Sequence, residues 1–100
     1  MKNVIVHFDF PKGTQEQYDG VWNDLRASGN ANPKGLIFHA GGPKPDGGWV
    51  VVDVWESEEA FAEFGNTLMP FIQKQNIEPV EPNIYPASYV YMGQKQTEMA

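Results

Sequence analysis

The fold is decided by one stretch of the sequence, residues 49–61, which reads WVVVDVWESEEAF. Its first half, Trp49 to Trp55, is rich in β-branched and aromatic side chains and is the strongest strand candidate in the chain. Ser57 then stands where a helix N-cap belongs, and the acidic Glu58 and Glu59 suit the positive end of a helix dipole. The stretch therefore predicts a strand that passes directly into a helix.

Upstream of this stretch, the sequence predicts a strand, a helix and a second strand. Asn3 to Phe10 is rich in β-formers and is followed by a Pro-Lys-Gly turn. Thr14 and Gln17 have the spacing of a capping box, in which each side chain satisfies a backbone donor at the start of a helix. One apolar face of that helix follows at helical spacing, with Tyr18, Val21, Trp22 and Leu25. Gly35 to Ala40 is the next strand, and a loop rich in glycine and proline covers residues 41–48.

Downstream, the sequence predicts a second helix and a last strand. The apolar stripe of the helix consists of Phe61, Phe64, Leu68, Phe71 and Ile72. Pro70 lies inside this stripe, and because proline has no backbone N–H, we expect a break there and a short second helical piece. The last strand is predicted over Asn83 to Met92, with Pro86 at an edge position or a bulge.

The order of these elements predicts one α+β domain of the ferredoxin-like βαββαβ type in this chain of 100 residues. We expect the domain to cover residues 1–93 and a polar tail to cover residues 94–100. Right-handed crossovers then give a four-stranded antiparallel sheet in the strand order 4-1-3-2, with both helices on one face.

Composition narrows the possible functions. The net charge is −6 and the few basic residues are scattered, so we expect no nucleic-acid partner. The chain has no cysteine, which excludes disulfides and thiolate chemistry and agrees with a reducing compartment. No apolar run approaches the length of a membrane span, and the N-terminus does not resemble a signal peptide. We therefore expect a cytoplasmic protein without a membrane partner.

Strand alternation sorts the predicted sheet into two faces. The apolar set is expected to meet the helices and consists of Val4, Val6, Phe8, Leu36, Phe38, Ala40, Val50, Val52 and Val54. The opposite set, the mixed set, consists of Ile5, His7, Asp9, Ile37, His39, Trp49, Val51, Asp53 and Trp55. In water the mixed set would form a large apolar patch, so we expect a two-fold partner to bury it in a homodimer. For the last strand, either the Tyr85 side or the Ile84 side can meet the helices.

The segment of residues 52–61, VDVWESEEAF, together with the short strand of residues 36–39, resembles the dimeric α/β-barrel superfamily. Within it, the chain is most similar to antibiotic-biosynthesis-monooxygenase-like domains, and the resemblance covers roughly residues 3–92. It implies a homodimer of two sheets packed face to face, with ligands between each sheet and its own helices. Members oxidise phenolic polyketides without a cofactor, degrade haem or isomerise lactones, and others have no known chemistry.

The haem-degrading branch uses an asparagine on the first strand and a histidine late in the second helix. The first strand here offers only Val4, Val6 and Phe8 on the corresponding face, and the second helix contains no histidine. These departures from the haem-degrading branch argue against haem binding by that route, and we expect no cofactor.

An aromatic cleft between sheet and helices is the predicted ligand site, and it would suit a small aromatic ligand. Its predicted binding residues are Phe8, Phe38, Phe61, Phe64 and Phe71. The predicted catalytic residues are His39, Tyr18, Trp22 and Asp53, with the tyrosine and tryptophan as orienting donors and the histidine as a base. The alternative is that the aromatic side chains simply form the core.

His7, His39 and Asp53 share the mixed set and could in principle bind a metal as a facial triad. A turn near Lys44 and Pro45 would place His39 nearer Trp49 or Val51 than Asp53, so we expect no metal site there. A hydrogen-bonded pair of His39 and Asp53 inside the dimer interface is the favoured role.

The resemblance, together with the aromatic cleft, implies a small-molecule-binding, monooxygenase-like protein, and cofactor-independent oxidation of a phenolic substrate is the reaction that the resemblance suggests. One alternative is a non-catalytic binding or stress-response dimer. Another is an isomerase or lyase that uses His39 or His7 as its base.

Overall fold

A computed structural model describes residues 2–93 of the chain, so the predicted polar tail lies outside the described residues. The elements in chain order are β1 (Val4–Phe10), α1 (Gln15–Ala27), β2 (Leu36–Pro43), β3 (Trp49–Trp55), α2 (Glu58–Lys74) and β4 (Asn83–Pro86). The strands form one four-stranded antiparallel sheet in the order β2-β3-β1-β4, which is the predicted order, and both helices lie on one face. The predicted ferredoxin-like α+β fold is therefore confirmed. None of the helices in residues 2–93 is long and apolar enough to cross a bilayer.

Both helices begin where the local sequence predicts. The Thr14 hydroxyl accepts from the Gln17 backbone N–H at 3.1 Å, and the Gln17 side chain accepts from the Thr14 N–H at 3.2 Å. The Ser57 hydroxyl accepts from the Ala60 N–H at 3.0 Å. The expected break at Pro70 is wrong, because α2 continues to Lys74. Only one helical hydrogen bond is lost at a proline, and Leu68 and Ile72, on either side of Pro70, still line the same cleft.

The pairing of β1 with β3 fixes which residues share a face of the sheet. Val4 lies opposite Trp55, and Val6 lies opposite Asp53. Because Val4 and Val6 are buried under the helices, alternate residues of β3 from Trp49 to Trp55 face the helices as well. The expected placement of the three intervening valines against the helices is wrong. They lie on the other side of the sheet, namely Val50, Val52 and Val54.

Burial of the large Trp55 side chain favours this choice of face. Trp55 is only 1% exposed, and its ring contacts Phe61 at a centroid distance of 5.8 Å and Phe64 at 5.6 Å. Trp55 buries a large apolar area beneath α2 and forms the core cluster together with the smaller Val4 and Val6.

An irregularity in β2 reverses which side of the sheet its later residues face. The pairing with β3 shifts between Leu36 and Phe38, so that Leu36 and His39 both face the helices. Phe38 and Ala40 fall on the opposite side, and Phe38 is 41% exposed. The expectation for Leu36 is confirmed, whereas those for Phe38, Ala40 and His39 are wrong.

No helix covers the other side of the sheet within residues 2–93, and we call this side the open face. Its members are Ile5, His7, Asp9, Phe38, Ala40, Val50, Val52, Val54, Asn83 and Tyr85. The mixed set is therefore divided between the two sides, and Trp49 is buried on the helix side. On β4, Ile84 packs against the core and Tyr85 lies on the open face, and the strand ends at Pro86 rather than at Met92.

Candidate active site

A cleft of about 290 Å³ opens between the sheet and the two helices. Its walls are almost entirely apolar and aromatic side chains, contributed by α1, α2, three strands and the segment before β4. No residue of α2 is fully buried, because its inner face stands over this space instead of resting on the sheet. A domain of this size that leaves an apolar cleft unfilled has room for a small ligand.

The structure brings three of the five predicted binding residues to the cleft, namely Phe8, Phe61 and Phe64. Phe38 is not among them, because the shift in β2 places it on the open face. Phe71 does not line the cleft either. Since α2 continues past Pro70, Leu68 and Ile72, four residues apart, point into the cleft, and Phe71 is turned away from that direction by one helical step.

A continuous chain of polar groups crosses one wall of the cleft. The Tyr18 hydroxyl lies 2.5 Å from His39 Nε2, and His39 Nδ1 lies 2.6 Å from Asp53 Oδ1. Asp53 Oδ2 accepts a hydrogen bond from the Trp55 indole at 3.1 Å. The fourth predicted catalytic residue, Trp22, packs edge-on against the His39 ring at a centroid distance of 5.0 Å. The structure therefore assembles all four predicted catalytic residues in one place.

Donor and acceptor chemistry fixes the direction of this chain. A carboxylate only accepts hydrogen bonds. His39 Nδ1 therefore carries a proton, and this N–H group donates a hydrogen bond to Asp53. In the neutral imidazole, Nε2 is then the acceptor, and the Tyr18 hydroxyl donates to it. Asp53 holds the ring in this tautomer and is placed to stabilise the imidazolium after His39 takes up a proton. The arrangement is that of a general base with its orienting carboxylate.

The backbone explains how these residues meet. His39 and Asp53 lie directly opposite each other in the β2–β3 ladder, because β2 extends to Pro43 and pairs that residue with Trp49. The expectation that His39 lies nearer Trp49 or Val51 is therefore wrong. The expected hydrogen bond between His39 and Asp53 is confirmed, but it lies in the cleft and not on the open face.

We call the hydrogen-bonded chain of Tyr18, His39 and Asp53 the relay. Tyr18 reaches it from the first turns of α1, and a glycine on β2 makes room for the tyrosine ring. A Cβ atom at Gly41 would lie 2.9 Å from atoms of the Tyr18 ring, which is closer than van der Waals contact allows. The ring stacks parallel to that of His39 at a centroid distance of 5.8 Å. The absence of a side chain at Gly41 is thus one condition for the Tyr18–His39 hydrogen bond.

Burial raises the pKa of the Tyr18 hydroxyl above its ordinary value, and the negative charge of Asp53 acts in the same direction. Tyr18 therefore stays protonated at neutral pH and serves as a hydrogen-bond donor. In the unfolded chain, a tyrosine hydroxyl has its ordinary pKa of about 10.

Tyr18 gives a testable pH dependence of stability. Because the folded protein keeps this proton at a higher pH than the unfolded chain does, Tyr18 lowers the free energy of unfolding as the pH rises from about 10 through the folded pKa. We expect Tyr18→Phe to reduce this alkaline loss, measured by urea denaturation at several pH values. Tyr89→Phe is the matched control, since Tyr89 is highly exposed. An unchanged alkaline slope in Tyr18→Phe would contradict the assignment.

His7 takes no part in the site. It lies on the open face, next to Asn83 at 3.5 Å, while His39 and Asp53 point to the cleft. The facial triad of His7, His39 and Asp53 therefore cannot form. Within residues 2–93 the side chains of histidine, aspartate and glutamate form no group of three suited to a metal ion.

Sequence reasoning missed two aromatic walls of the cleft, Trp49 and Trp55. Trp49 packs against the Tyr18 ring at a centroid distance of 4.9 Å, and Trp55 is the indole that binds Asp53. Both were expected on the opposite side of the sheet. The signal that could have found them is size, because a tryptophan removes more apolar surface from water than a valine does when it is buried under a helix.

No family model matches the chain, and no curated protein matches it either. Several solved structures resemble it. SnoaB, a cofactor-independent oxygenase from Streptomyces nogalater, is 17% identical with a TM-score of 0.61, over 89% of this chain and 95% of that chain. A dimeric ferredoxin-like protein of unknown function from Thermobifida fusca YX is 15% identical with a TM-score of 0.58, over 86% and 92%. A hydroxynitrile lyase from Passiflora edulis is 14% identical with a TM-score of 0.50, over 91% and 95%.

Identities this low establish a shared fold and not a shared activity. All three structures are covered almost along their whole length, so the likeness concerns the complete domain and not one motif. The chain therefore shares the ferredoxin-like α+β fold of these structures, as the order of its predicted elements indicates.

Proposed function

We propose that this protein is a cofactor-independent oxygenase in which His39 acts as the base toward a phenolic substrate bound in the cleft. The observation that carries the proposal is the hydrogen-bonded chain from Tyr18 through His39 to Asp53 on the wall of an apolar, ligand-sized cleft. The shared fold with SnoaB, which is a cofactor-independent oxygenase, supports the proposal.

The walls of the cleft define the kind of substrate. In the described part of the chain no lysine or arginine lines the cleft, and the only carboxylate on its wall, Asp53, is already bonded to His39. A phosphate or carboxylate group would be buried there without a partner, which is costly. The aromatic side chains instead favour a flat, uncharged ring system whose oxygen atom meets Tyr18 and His39.

In the proposed reaction, an oxygen atom of the phenolic substrate accepts the Tyr18 hydroxyl hydrogen bond in place of His39, which frees His39 Nε2. His39 Nε2 then takes the first proton from an activated CH₂ carbon of the substrate, and Asp53 stabilises the resulting imidazolium. The electron-rich anion then reduces O₂ and combines with it to form a peroxide at an activated CH₂ carbon. His39 returns its proton to the outer peroxide oxygen. Loss of the second C–H proton and cleavage of the O–O bond leave a carbonyl on the substrate and release water. The dry cleft protects the anion from bulk water while O₂ reacts.

Lyase chemistry is the second candidate, because the same chain of Tyr18, His39 and Asp53 could take a proton from a cyanohydrin hydroxyl while cyanide leaves. The fold of the Passiflora edulis hydroxynitrile lyase supports this alternative. The two reactions differ in one respect that can be measured, since only the oxygenase consumes O₂. The third reading, a binding protein without catalysis, predicts ligand binding and no turnover.

The test is turnover of a hydroxylated anthrone, a tricyclic phenol with an activated CH₂ carbon, with and without oxygen. We expect consumption of equimolar O₂ and substrate, formation of the quinone, and no reaction under anaerobic conditions. Turnover of an aromatic cyanohydrin without oxygen would replace the oxygenase with the lyase. Binding of both compounds without turnover would overturn both.

We further infer that a second copy of the chain covers the open face. The centre of this face is apolar and includes Phe38, Val52 and Val54, and no helix within residues 2–93 covers it. Exposed patches of this kind mark interfaces, and a two-fold partner would present a matching surface. The Thermobifida fusca neighbour is described as dimeric.

Val52→Glu is expected to convert the dimer to monomers, because it would bury a charge without a partner across the two-fold interface. The measurement is native mass spectrometry or analytical ultracentrifugation. Ala62→Glu, on the exposed side of α2, is the control and should remain dimeric. A Val52→Glu protein that keeps the mass of the dimer would locate the interface elsewhere. Trp49→Glu would not test the interface, because Trp49 lies in the cleft.

A further inference from the structure

Gly65 lies in the interior of α2, at a position where glycine is unfavourable. A helical glycine is less stable than alanine, because its backbone loses more conformational freedom on folding. The glycine inside α1, Gly20, has a reason in the packing of the chain, since a Cβ atom there would lie 2.5 Å from atoms of the Gln75 side chain. Gly65 has no such neighbour.

No contact within residues 2–93 requires a glycine at position 65. A Cβ atom there would have no atom within 4 Å, apart from the adjacent residues and the backbone of the helix itself. Its φ is not positive either, so the backbone would accept any residue that suits a helix. Gly65 lines the cleft together with Phe61 and Leu68, which share its face of α2 by helical spacing. A side chain at position 65 would therefore take up space in the cleft.

The Trp55 side chain spans the wall of the cleft between the relay and α2. Its indole N–H donates to Asp53 at 3.1 Å, and its ring packs against Phe61 and Phe64. Phe64 directly precedes Gly65 in α2. A single substrate ring held at the relay is therefore expected to leave the space beside Gly65 empty, whereas a larger substrate would reach it.

The surroundings of Gly65 define the chemistry of a ligand at this end of the cleft. The side chains of α2 that line the cleft are all apolar, and Met69 among them is 43% exposed. A charged or polar group would lose its hydration there without gaining a partner. An apolar group would instead remove exposed apolar surface from water, which is favourable.

We propose that Gly65 determines substrate specificity. The substrate carries an apolar extension, either a further fused ring or a hydrocarbon group, that packs against the backbone of α2 at this position. This inference rests on the proposed function, which places the phenolic ring at the relay. It adds that the glycine leaves a space that only a substrate larger than one ring fills, at the expense of helix stability.

The first test is the stability of two alanine variants, measured as the midpoint of urea denaturation at one protein concentration. Gly65→Ala should raise the midpoint, because alanine is the better helix former and its methyl group meets no other atom. Asn66→Ala is the matched control, since Asn66 is exposed and its replacement also improves helix propensity. A lower midpoint in Gly65→Ala would show that packing within the chain needs the glycine, and would overturn the inference.

The second test is ligand binding by Gly65→Leu, measured by isothermal titration calorimetry without oxygen so that no turnover intrudes. Binding of the hydroxylated anthrone, which has three fused rings, should weaken by about tenfold or more, because the leucine fills the space that the extension occupies. Binding of 1-naphthol, which is shorter by one ring, should weaken much less. Asn66→Leu places the same side chain on the exposed side of α2 and should bind both probes as the unmodified chain does.

The outcomes separate this inference from the proposed reaction. Unchanged binding of the anthrone by Gly65→Leu, or equal losses for the two probes, would overturn the role of Gly65 and leave the oxygenase proposal intact. A selective loss of anthrone binding in a protein that shows no turnover would support the inference and overturn only the reaction. An unmodified chain that binds neither probe would overturn both.

Discussion

His39→Gln is expected to lower kcat for the phenolic substrate by about 10²–10⁴-fold, the usual contribution of a general base, with little change in KM. His39 Nε2 is the only acceptor in the relay that can take up a proton and have the resulting charge stabilised by a bonded carboxylate. A glutamine keeps a donor for Asp53 and fills a similar volume, so the cleft should keep its shape. The measurement is steady-state oxygen consumption, with urea denaturation to show that the fold is intact.

His7→Gln is the matched control for this experiment, because His7 lies on the open face and should leave kcat unchanged. Asp53→Asn gives an independent check. An amide at this position can donate toward His39 Nδ1, which favours the tautomer with a proton on Nε2 and removes the acceptor that Tyr18 uses. We therefore expect a similar fall in kcat. Full activity in both His39→Gln and Asp53→Asn would exclude the relay from the chemistry.

Trp55→Ala is expected to lower the free energy of unfolding by about 3–5 kcal/mol, the range found when a large buried aromatic side chain is removed. Trp55 is 1% exposed and joins the sheet to α2 through contacts with Phe61 and Phe64. It is also the indole donor to Asp53. No other side chain of the core cluster is of comparable size, so the cavity would remain largely unfilled.

Trp55→Phe separates the two contributions of this residue. It keeps much of the aromatic packing, and it loses the hydrogen bond to Asp53 and a smaller part of the buried ring area, so we expect a clearly smaller loss of stability. Both variants are compared with the unmodified chain by urea denaturation at one protein concentration, because the stability of a dimer depends on concentration. A loss below about 1 kcal/mol in Trp55→Ala would mean that α2 does not depend on this contact.

The residues that the sequence placed correctly are those whose conformation depends on near neighbours. The capping box of Thr14 and Gln17 and the N-cap at Ser57 need only groups within three positions. The order of strands and helices follows in the same way from local patterns, and the handedness of crossovers then leaves few topologies. Tyr18 and Trp22 reach the cleft because helical spacing fixes them to the buried face of α1.

The sequence could not show which side chains of each strand face the helices, because both sets of alternating residues in β3 contain apolar side chains. Val50, Val52 and Val54 suit a helix-covered face by hydropathy as well as Trp49 and Trp55 do. The decision depends on side-chain volume, since the two tryptophans bury more apolar area beneath the helices than valines would, and on pairing with β1. The shift between Leu36 and Phe38 is likewise a property of the assembled ladder.

The sequence by itself thus determined the elements, their order and the residue types available for chemistry. Only the tertiary structure decided that His39 and Asp53 lie on the helix side of the sheet, where Tyr18 completes the relay. The physical reason is that local hydrogen bonds and propensities act within a few residues, whereas register and facing are set by packing between segments far apart in the chain. Within residues 2–93, the same packing leaves the open face without a covering helix.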